Sequence, residues 1–415
     1  MTPSYSDMAR VFGHIGVMSF GGPAAQIALM HKELVEDRPW LDEQTYLRAL
    51  SLCMLLPGPE AMQLATYSGW KLRGVGGGLL AGGLFVLPGA FVIAILVGLY
   101  AQFGDLPLVQ SMFLGIKAAV IVIVLQALRN LSRKALKGRS SWILAGLGFL
   151  AIFALNLPFP LIIAAAAIWG YATAQPGETP PLSQVDSGAT LRTSLIWGGL
   201  WLLPLVALTL TEQTLLADLG WFFAKLAVVT FGGAYAVLAY MTQTIVDQYG
   251  WIGTDQMIDA LGLAETTPGP LILVTQFVAM LTGQLQGGAT LAIAAGIVAL
   301  WATFVPCFLW IFLAAPYLDH ISARPRLAAA LQAITATVVG IILNLSVWFA
   351  LHVLFADVGQ STWGVLSFPM PDWSTIDVTA GIFCLVAAVW IWGFKRGLGE
   401  TLILMAALGA AVHLL

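Results

Sequence analysis

Two proline-glycine-proline triplets interrupt apolar stretches of the chain, at Pro57-Gly58-Pro59 and Pro268-Gly269-Pro270. Proline removes a backbone N–H donor and clashes with the preceding helical turn, so a helix must break at each triplet. A helix that begins there directs unpaired N–H groups and the positive end of its dipole into the space in front of it. Two such helix ends facing each other would suit an anion.

Two ionisable side chains precede the Phe-Gly-Gly motifs that begin at Phe20 and Phe231. His14 and Lys225 each lie six residues before their motif. Because burying an ionisable group in a membrane is costly, such residues are functional candidates by default. We expect both to attract an anion. Alternatively, Lys225 extends to the membrane surface and His14 is a hydrogen-bonded packing residue.

Two carboxylates lie beside the triplets. Glu60 follows the first triplet directly, and Glu265 lies three residues before the second. Each could balance a nearby positive charge or take up a proton during coupling. Lys117, in the middle of an apolar run, is a further candidate. Backbone and neutral donors near the motifs complete the candidate substrate site: Gly21, Gly22, Gly232, Gly233, Gln63 and Thr267.

Other kinds of chemistry have no motif in this sequence. There is no G-x-x-x-x-G-K-[ST] motif for ATP hydrolysis, and the five histidines form no H-E-x-x-H pair. Three cysteines, Cys53, Cys307 and Cys384, lie far apart in apolar stretches, which is typical of small core residues. The sequence therefore predicts no catalytic residue, metal, cofactor or nucleic-acid partner.

The candidate residues belong to an internal duplication. Trp40 and Trp251 differ by 211 in residue number, as do the starts of the two Phe-Gly-Gly motifs and of the two triplets. Pro88 matches Pro306 with a difference of 218, which indicates a seven-residue insertion between Gly288 and Pro306. Broken helices at matching positions of two halves are the best sequence indication of a transporter's binding site.

Composition requires a polytopic membrane protein. Of 415 residues, 59% are hydrophobic and only 9% charged, with a mean hydropathy of +0.88, whereas a soluble domain has about 25% charged residues. We predict an all-α fold with an N-terminal repeat over 1–174, a linker over 175–191, a connecting transmembrane helix over 192–211 and a C-terminal repeat over 212–415.

Six predicted membrane segments in each half, with one helix between the halves, make the repeats inverted in topology. The positive-inside rule places the basic cluster 129–139 in the cytoplasm, together with Arg324, Arg326, Lys395 and Arg396. The N-terminus is then cytoplasmic and the C-terminus periplasmic. In each half a polar connector, residues 32–48 or 243–259, joins the two broken segments. The charges of these connectors favour broken segments that re-enter the same face over segments that span, but they leave both arrangements open.

The motifs Ser19-Phe-Gly-Gly-Pro23, Trp40-Leu-Asp42 and Leu56-Pro-Gly-Pro59, with their second copies, resemble the chromate ion transporter superfamily in its long-chain, two-repeat form. The resemblance covers nearly the whole chain. It implies a bacterial inner-membrane protein that exports chromate, with oppositely oriented halves. The family often has Gln three residues before each triplet, whereas this chain has Met54 and Glu265. An acidic group there could weaken dianion binding or introduce a proton step.

Leaving a negative interior is favourable for a dianion, by about 2.3 kcal/mol per charge per 100 mV. We therefore expect a secondary transporter that exports chromate, driven by membrane potential, protons or both. The alternatives are a transporter of sulfate or another anion with proton-coupled uptake, an anion channel, and an intramembrane enzyme acting on lipid-linked substrates. The expected partners are a small oxyanion and the lipid bilayer. A homodimer is left open.

Overall fold

The computed structural model describes residues 3–174, 187–231, 234–318, 324–364 and 366–414. The first half contains α1 Tyr5–Met18, α2 Gly22–His31, α3 Glu43–Leu55, α4 Glu60–Phe103, α5 Pro107–Ala135, α6 Arg139–Phe153 and α7 Phe159–Thr173. Next come α8 Ser187–Leu210, α9 Thr214–Val229, α10 Ala234–Thr242, α11 Thr254–Thr266, α12 Val274–Ala314, α13 Pro325–Leu354, α14 Val378–Ala388 and α15 Leu398–Leu414. Strands β1 Val358–Trp363 and β2 Leu366–Pro371 form one antiparallel hairpin.

These helices confirm an all-α polytopic membrane protein. By length and composition, α4, α5, α8, α12 and α13 can each cross a bilayer, which needs about 20 apolar residues. Shorter apolar helices accompany them: α6, α7, α14 with its π-helical continuation, and α15. The β-hairpin, which lies between α13 and α14, is the one sheet among the described residues.

Helix boundaries repeat at the spacing of the motifs. Helices α3 and α11 both have 13 residues, and their first residues differ by 211. A π-helical turn begins at Lys32 and another at Gln243, again 211 apart. The duplication therefore extends to the π-helical turns, although the side chains of these turns differ between the two copies.

Helices α4 and α12 each reverse direction once. In α4 the backbone leaves helical geometry at Arg73 and Gly74, and in α12 it does so at Gly288, where φ is +75°. A Cβ at Gly69 would lie 2.2 Å from the carbonyl oxygen of Gly77, so the two arms of α4 pack antiparallel and in direct contact. The turn at Gly288 brings Gly283 close to the second arm of α12, where a Cβ would lie 2.7 Å from the carbonyl oxygen of Leu291.

These hairpins correct the position of the predicted insertion. Helix α12 begins 214 residues after α4, because a 3-10 turn at Leu271–Leu273 follows the second triplet. Gly82 and Gly296 occupy matching places in the two hairpins, also 214 apart, and each approaches the preceding arm closely. The seven extra residues are therefore divided. Three form the 3-10 turn, and four lengthen the second arm between Gly296 and Pro306 by about one helical turn.

The chain forms two compact units, here taken over their described residues. The first unit comprises Met1–Gly98, Gln175–Ala234 and Thr267–Ala328, and the second comprises Leu99–Ala174, Tyr235–Thr266 and Ala329–Leu415. Each unit draws on both sequence halves. The connecting helix α8 begins at Ser187, five residues inside the predicted linker, and residues 175–186 of that linker lie outside the described part of the chain.

In the first unit, tryptophans satisfy carbonyls that prolines leave unpaired. A helical proline frees the carbonyl four residues earlier, which costs free energy in an apolar surrounding. Pro306 of α12 frees Ala302, and the indole N–H of Trp201 in α8 donates to that oxygen at 3.1 Å. Pro204 of α8 frees Leu200, and Trp301 in α12 donates to it at 3.0 Å.

In the second unit, glycines let helices meet backbone to backbone. A Cβ at Gly115 of α5 would lie 2.0 Å from the carbonyl oxygen of Met405 in α15, and one at Gly409 would lie 2.1 Å from that of Ser111. Gly340 of α13 approaches the carbonyl of Ala145 in α6 in the same way, at 1.9 Å. Small residues at helix crossings are typical of membrane bundles, in which close packing replaces the hydrophobic effect as the main attraction.

Candidate functional site

The two triplets lie in the first unit, and each is hydrogen-bonded to the opposite copy of the repeat. The amide of Gly58 donates to the carbonyl of Thr230 at 2.8 Å, and the amide of Gly269 donates to that of Ser19 at 2.9 Å. Thr230 and Ser19 also differ by 211. The sequence duplication therefore appears as a pair of equivalent contacts, each of which joins a triplet to the helix end before the Phe-Gly-Gly motif of the other copy.

Ser19 and Thr230 end α1 and α9 in the same way. The Ser19 hydroxyl donates to the carbonyl of Ile15 at 2.6 Å, and the Thr230 hydroxyl donates to that of Leu226 at 2.6 Å. Both side chains are buried. Each residue thus satisfies a carbonyl at its helix end and offers its own carbonyl to a triplet glycine.

The second arm of the other copy's helix hairpin, which contains Pro88 or Pro306, packs against each triplet. A Cβ at Gly89, next to Pro88, would lie only 2.2 Å from the carbonyl oxygen of Pro268. The residue that matches Gly89 is Cys307, whose Sγ would lie 3.1 Å from a Cβ at Gly58. Gly58 and Gly269 have φ of +121° and +89°, a region that favours glycine.

Glutamine side chains distinguish the two triplets. Gln26 is 1% exposed, and its Nε2 donates to the carbonyl of Ser19 at 3.1 Å and to that of Gly269 at 2.7 Å. The matching residue in the second copy is Val237. At the first triplet, Gln63 is fully buried and its Nε2 donates to the carbonyl of Pro57 at 2.6 Å, while its Oε1 has no hydrogen-bond partner among the described residues.

The two helices that leave the triplets start with different charges. Helix α4 begins with Glu60, whose carboxylate lies in the first turn, where it is stabilised by the positive helix end. Helix α12 follows the 3-10 turn and has no acidic residue in its first turn. An anion would therefore meet a carboxylate in the first helical turn after the first triplet but not in the first turn of α12.

The predicted cations lie on exposed faces. His14 of α1 has a half-exposed side chain, with Nε2 3.7 Å from the Oε1 of Glu33, and Lys225 of α9 is exposed as well. Gly21 and Gly22 both have positive φ and form the turn between α1 and α2. Thr267 is buried beside the second triplet. Gly232 and Gly233 lie outside the described residues.

Glu265 is buried in the second unit, at the end of α11. Its side chain is 8% exposed, and the hydroxyl of Tyr235 donates to its Oε1 at 2.8 Å. The matching residue in the first copy is Met54, which is half exposed. A buried carboxylate therefore exists only in the second copy of this pair.

A second charged cluster in the same unit surrounds Lys117 of α5. Its Nζ lies 3.1 Å from Asp255 and 3.3 Å from Asp259, both on α11. The hydroxyl of Tyr100 donates to the other carboxylate oxygen of Asp259 at 2.7 Å. Lys117 and Asp259 are both buried. This arrangement satisfies the charge of Lys117 internally, which makes it an ion-paired packing residue rather than an open anion site.

The sequence prediction missed several residues of the triplet region. Ser19, Thr230 and Cys307 contact the triplets, and so does Gln26. Ser19 and Thr230 could have been found, since both carry hydroxyls at the repeat spacing. Gln26 and Cys307 could not, because each contacts the triplet of the other repeat copy, and only folding brings these distant segments together.

Comparison with known proteins gives a family. The chromate transporter family model matches residues 6–171 and 217–413, two stretches whose starts differ by 211. The chain is 30% identical over 347 residues to a probable chromate transport protein of Synechococcus elongatus, covering 82% of this chain and 84% of that relative. It is 28% identical over 414 residues to a chromate transport protein of Cupriavidus metallidurans, covering 98% and 92%.

A third relative extends the range of similarity. An uncharacterized transporter of Methanocaldococcus jannaschii is 25% identical over 85% of this chain and 86% of its own length. No solved structure matches the chain. The family model covers most of the chain, in the two stretches expected of a duplicated transporter, and the chain accordingly belongs to the chromate transporter family.

Proposed function

We propose that the protein exports chromate across the bacterial inner membrane and that the substrate binds at the reciprocally bonded triplets of the first unit. The observation that carries this proposal is the pair of hydrogen bonds from Gly58 to Thr230 and from Gly269 to Ser19. These bonds hold two helix breaks of opposite copies in one buried backbone frame. Irregular backbone at membrane depth is tolerated where it is buried in protein or lines a cavity.

The chemistry of the frame suits an oxyanion. Backbone N–H groups at helix starts bind tetrahedral anions without a full positive charge, and α12 begins without a competing carboxylate in its first turn. His14 and Lys225, exposed on α1 and α9, would attract the anion toward the membrane surface. Chromate and sulfate are both tetrahedral dianions, so hydrogen-bond donors that bind one will bind the other.

Membrane potential is the driving force that we propose. A dianion leaving a negative interior gains about 4.6 kcal/mol per 100 mV, twice the value for one charge. The N-terminus would be cytoplasmic and the C-terminus periplasmic.

A second candidate is proton-coupled transport of sulfate or a related anion. The observation in its favour is the buried pair of Glu265 and Tyr235, because a carboxylate in this surrounding can hold a proton through a transport cycle. In that case Glu265 carries the coupling proton, and Glu60 balances charge at the start of α4.

The test is chromate uptake into everted membrane vesicles at an interior-positive potential, with and without excess sulfate. We expect saturable uptake that the potential drives and that Lys225→Ala lowers, whereas Lys71→Ala, an exposed lysine of α4, leaves it unchanged. Uptake that instead requires a proton gradient and is lost in Glu265→Gln would favour the second candidate. A folded protein that moves no chromate under either gradient would refute the proposal.

A further inference from the structure

The end of α5 and the segment after α14 form a basic groove in the second unit. Arg129, Asn130 and Arg133 lie on the last turns of α5, and Lys395 and Arg396 follow α14. The groove has a volume of about 290 Å³. Its lining among the described residues contains four cations and no carboxylate, and is completed by Gln126, Ile391 and Trp392.

Local backbone geometry builds this groove. Arg129 and Arg133 are four residues apart, so they project from the same face of α5. After α14 the chain makes a π-helical turn, Val389–Gly393, and Lys395 then adopts a φ of +53°. A positive φ is unfavourable for a residue with a side chain, and here it places Lys395 and Arg396 beside the α5 arginines.

The groove lies at the end of an apolar stretch. The apolar run of α5 ends where Arg129 begins the basic cluster. Helix α14 and the segment after it, which leads into the groove, carry exposed apolar side chains: Leu385 at 67%, Val389 at 51%, Trp392 at 44% and Phe394 at 64% exposed. Tryptophan beside arginine and lysine at the end of a membrane helix is typical of the bilayer interface. A ligand at this place can have a charged head in the groove and apolar chains along α14.

Two contacts refine the chemistry of the ligand. Glu400 lies 3.8 Å from Arg396, whose guanidinium also lies 5.8 Å from the centre of the Trp390 ring, so part of the charge of Arg396 is balanced. The Oε1 of Gln126, a groove-lining residue, is buried and has no hydrogen-bond partner among the described residues. A headgroup that carries a hydroxyl as well as a phosphate would satisfy both the arginines and this acceptor.

We propose that this groove binds the headgroup of an anionic phospholipid, with a preference for a hydroxyl-bearing headgroup such as that of phosphatidylglycerol. Basic pockets between membrane helices on the cytoplasmic side bind phosphorylated lipid headgroups through this chemistry. The proposal does not depend on the transported substrate. It also agrees with the expectation that the 129–139 cluster and Lys395 and Arg396 lie on one side of the membrane, since the groove brings them together.

The experiment is a titration of the full-length protein in neutral detergent with phosphatidylglycerol, followed by native mass spectrometry. Arg129→Gln with Arg133→Gln should weaken binding about 30-fold, from about 1 kcal/mol for each charge. Lys134→Gln with Lys137→Gln, which removes the same charge outside the groove lining, should change it less than about twofold. Arg129→Lys with Arg133→Lys should retain binding, which separates loss of charge from misfolding.

Three further arms identify the ligand. Phosphatidylethanol, a phosphodiester with the same single charge but no headgroup hydroxyl, should bind more weakly than phosphatidylglycerol, and Gln126→Leu should remove that difference. Phosphatidylcholine should not compete. If inorganic phosphate or chromate at equal ionic strength displaces the lipid completely, or if Arg129→Gln with Arg133→Gln leaves phosphatidylglycerol binding unchanged, the groove is not a lipid site and the proposal is overturned.

Discussion

The two triplets share one backbone frame but have different surroundings. Gly58 and Gly269 make equivalent hydrogen bonds to the opposite repeat. The second triplet is completely buried and held by Gln26, whereas Pro57 and Pro59 of the first are partly exposed. Duplication therefore preserved the backbone contacts, and the side chains diverged around them.

Because the two triplets share backbone contacts but differ in side chains, folding and transport can be tested at different residues. A frame with identical side chains in both copies would offer the same chemistry toward both membrane faces, so side chains that occur in one copy only make the two sides unequal. Glu60 at the start of α4, Glu265 near the end of α11 and Gln26 in α2 each occur in one copy only. The side chains that break the symmetry are therefore the best places to test direction and coupling, and the shared contacts are the best places to test folding.

The largest effect on stability is expected at Gly89, whose backbone is in direct contact with that of the second triplet. Gly89→Ala would place a Cβ 2.2 Å from the carbonyl oxygen of Pro268, and the backbone on both sides cannot move away without displacing the triplet. We expect a loss of about 3 kcal/mol or more, at the upper end for overpacking. Thermal unfolding in detergent, followed by fluorescence-detected size exclusion, measures it.

The matching substitution serves as its control. Cys307→Ala removes only a buried thiol from the equivalent position, so we expect a loss of about 1 kcal/mol or less. Equal destabilisation by the two substitutions would show that the close approach at Gly89 is not a structural constraint.

The next effect concerns the glutamines. Gln26→Leu removes the side-chain donor to the Gly269 carbonyl and one of two donors to the Ser19 carbonyl. We expect it to cost about 2 kcal/mol, within the range for a buried polar group that loses its partner. Gln63→Leu affects only the carbonyl of Pro57 and also removes a buried oxygen without a partner, so it should cost less than about 1 kcal/mol. Thermal unfolding of both variants gives the comparison, and the reverse order would contradict it.

A smaller effect is expected at the kink of α12. Trp201→Phe removes the donor to the Ala302 carbonyl and should cost about 1 kcal/mol, as for hydrogen bonds between membrane helices. Pro306→Ala restores a backbone N–H that can satisfy the same carbonyl. The cost of Trp201→Phe should therefore shrink in the Pro306→Ala background. A double-mutant cycle measures this coupling, and additive effects would show that the indole does not satisfy that carbonyl.

Much of this architecture could be predicted from the sequence. Proline and glycine act through local backbone chemistry, so the two triplets, the breaks after Ser19 and Thr230 and the repeat spacing were all visible before the fold. Apolar length indicated the spanning helices. The class of protein and its family follow from these features, and both are confirmed.

The rest depends on contacts between distant residues. Nothing near Gln26 in the sequence shows that it reaches Gly269, and nothing near Lys117 shows that Asp255 and Asp259 of α11 pair with it. Asp259 matches Arg48 of the first copy, so the repeat spacing gave no indication of an acidic partner. The three-residue turn after Pro270 was also hidden, because the sequence analysis used no motif between the triplet and Pro306 that marks where the register changes.

The smallest effect is expected at the first turns of α3 and α11, where each copy makes a different one of the two hydrogen bonds of a capping box. Asp42 accepts the amide of Thr45 at 2.9 Å in α3. In α11 the matching residues are Gly253 and Gln256, and the Gln256 side chain accepts the amide of Gly253 at 2.9 Å. A complete capping box has both contacts, and each copy keeps one.

Asp42→Ala should therefore speed hydrogen exchange only in the first turn of α3, and Gln256→Ala only in that of α11, measured by mass spectrometry. Hydrogen bonds from the Thr45 side chain and amide hold the pKa of Asp42 below its ordinary value of 3.8. The contribution of this cap is therefore complete above that value and is lost as the pH falls through the lower folded pKa. Asp42→Asn should keep the cap and remove its pH dependence. The contribution of the Gln256 cap to α11, taken as the difference between the parent and Gln256→Ala, should not change with pH, since Gln256 does not titrate. Acid sensitivity that persists in Asp42→Asn would assign the effect to another group.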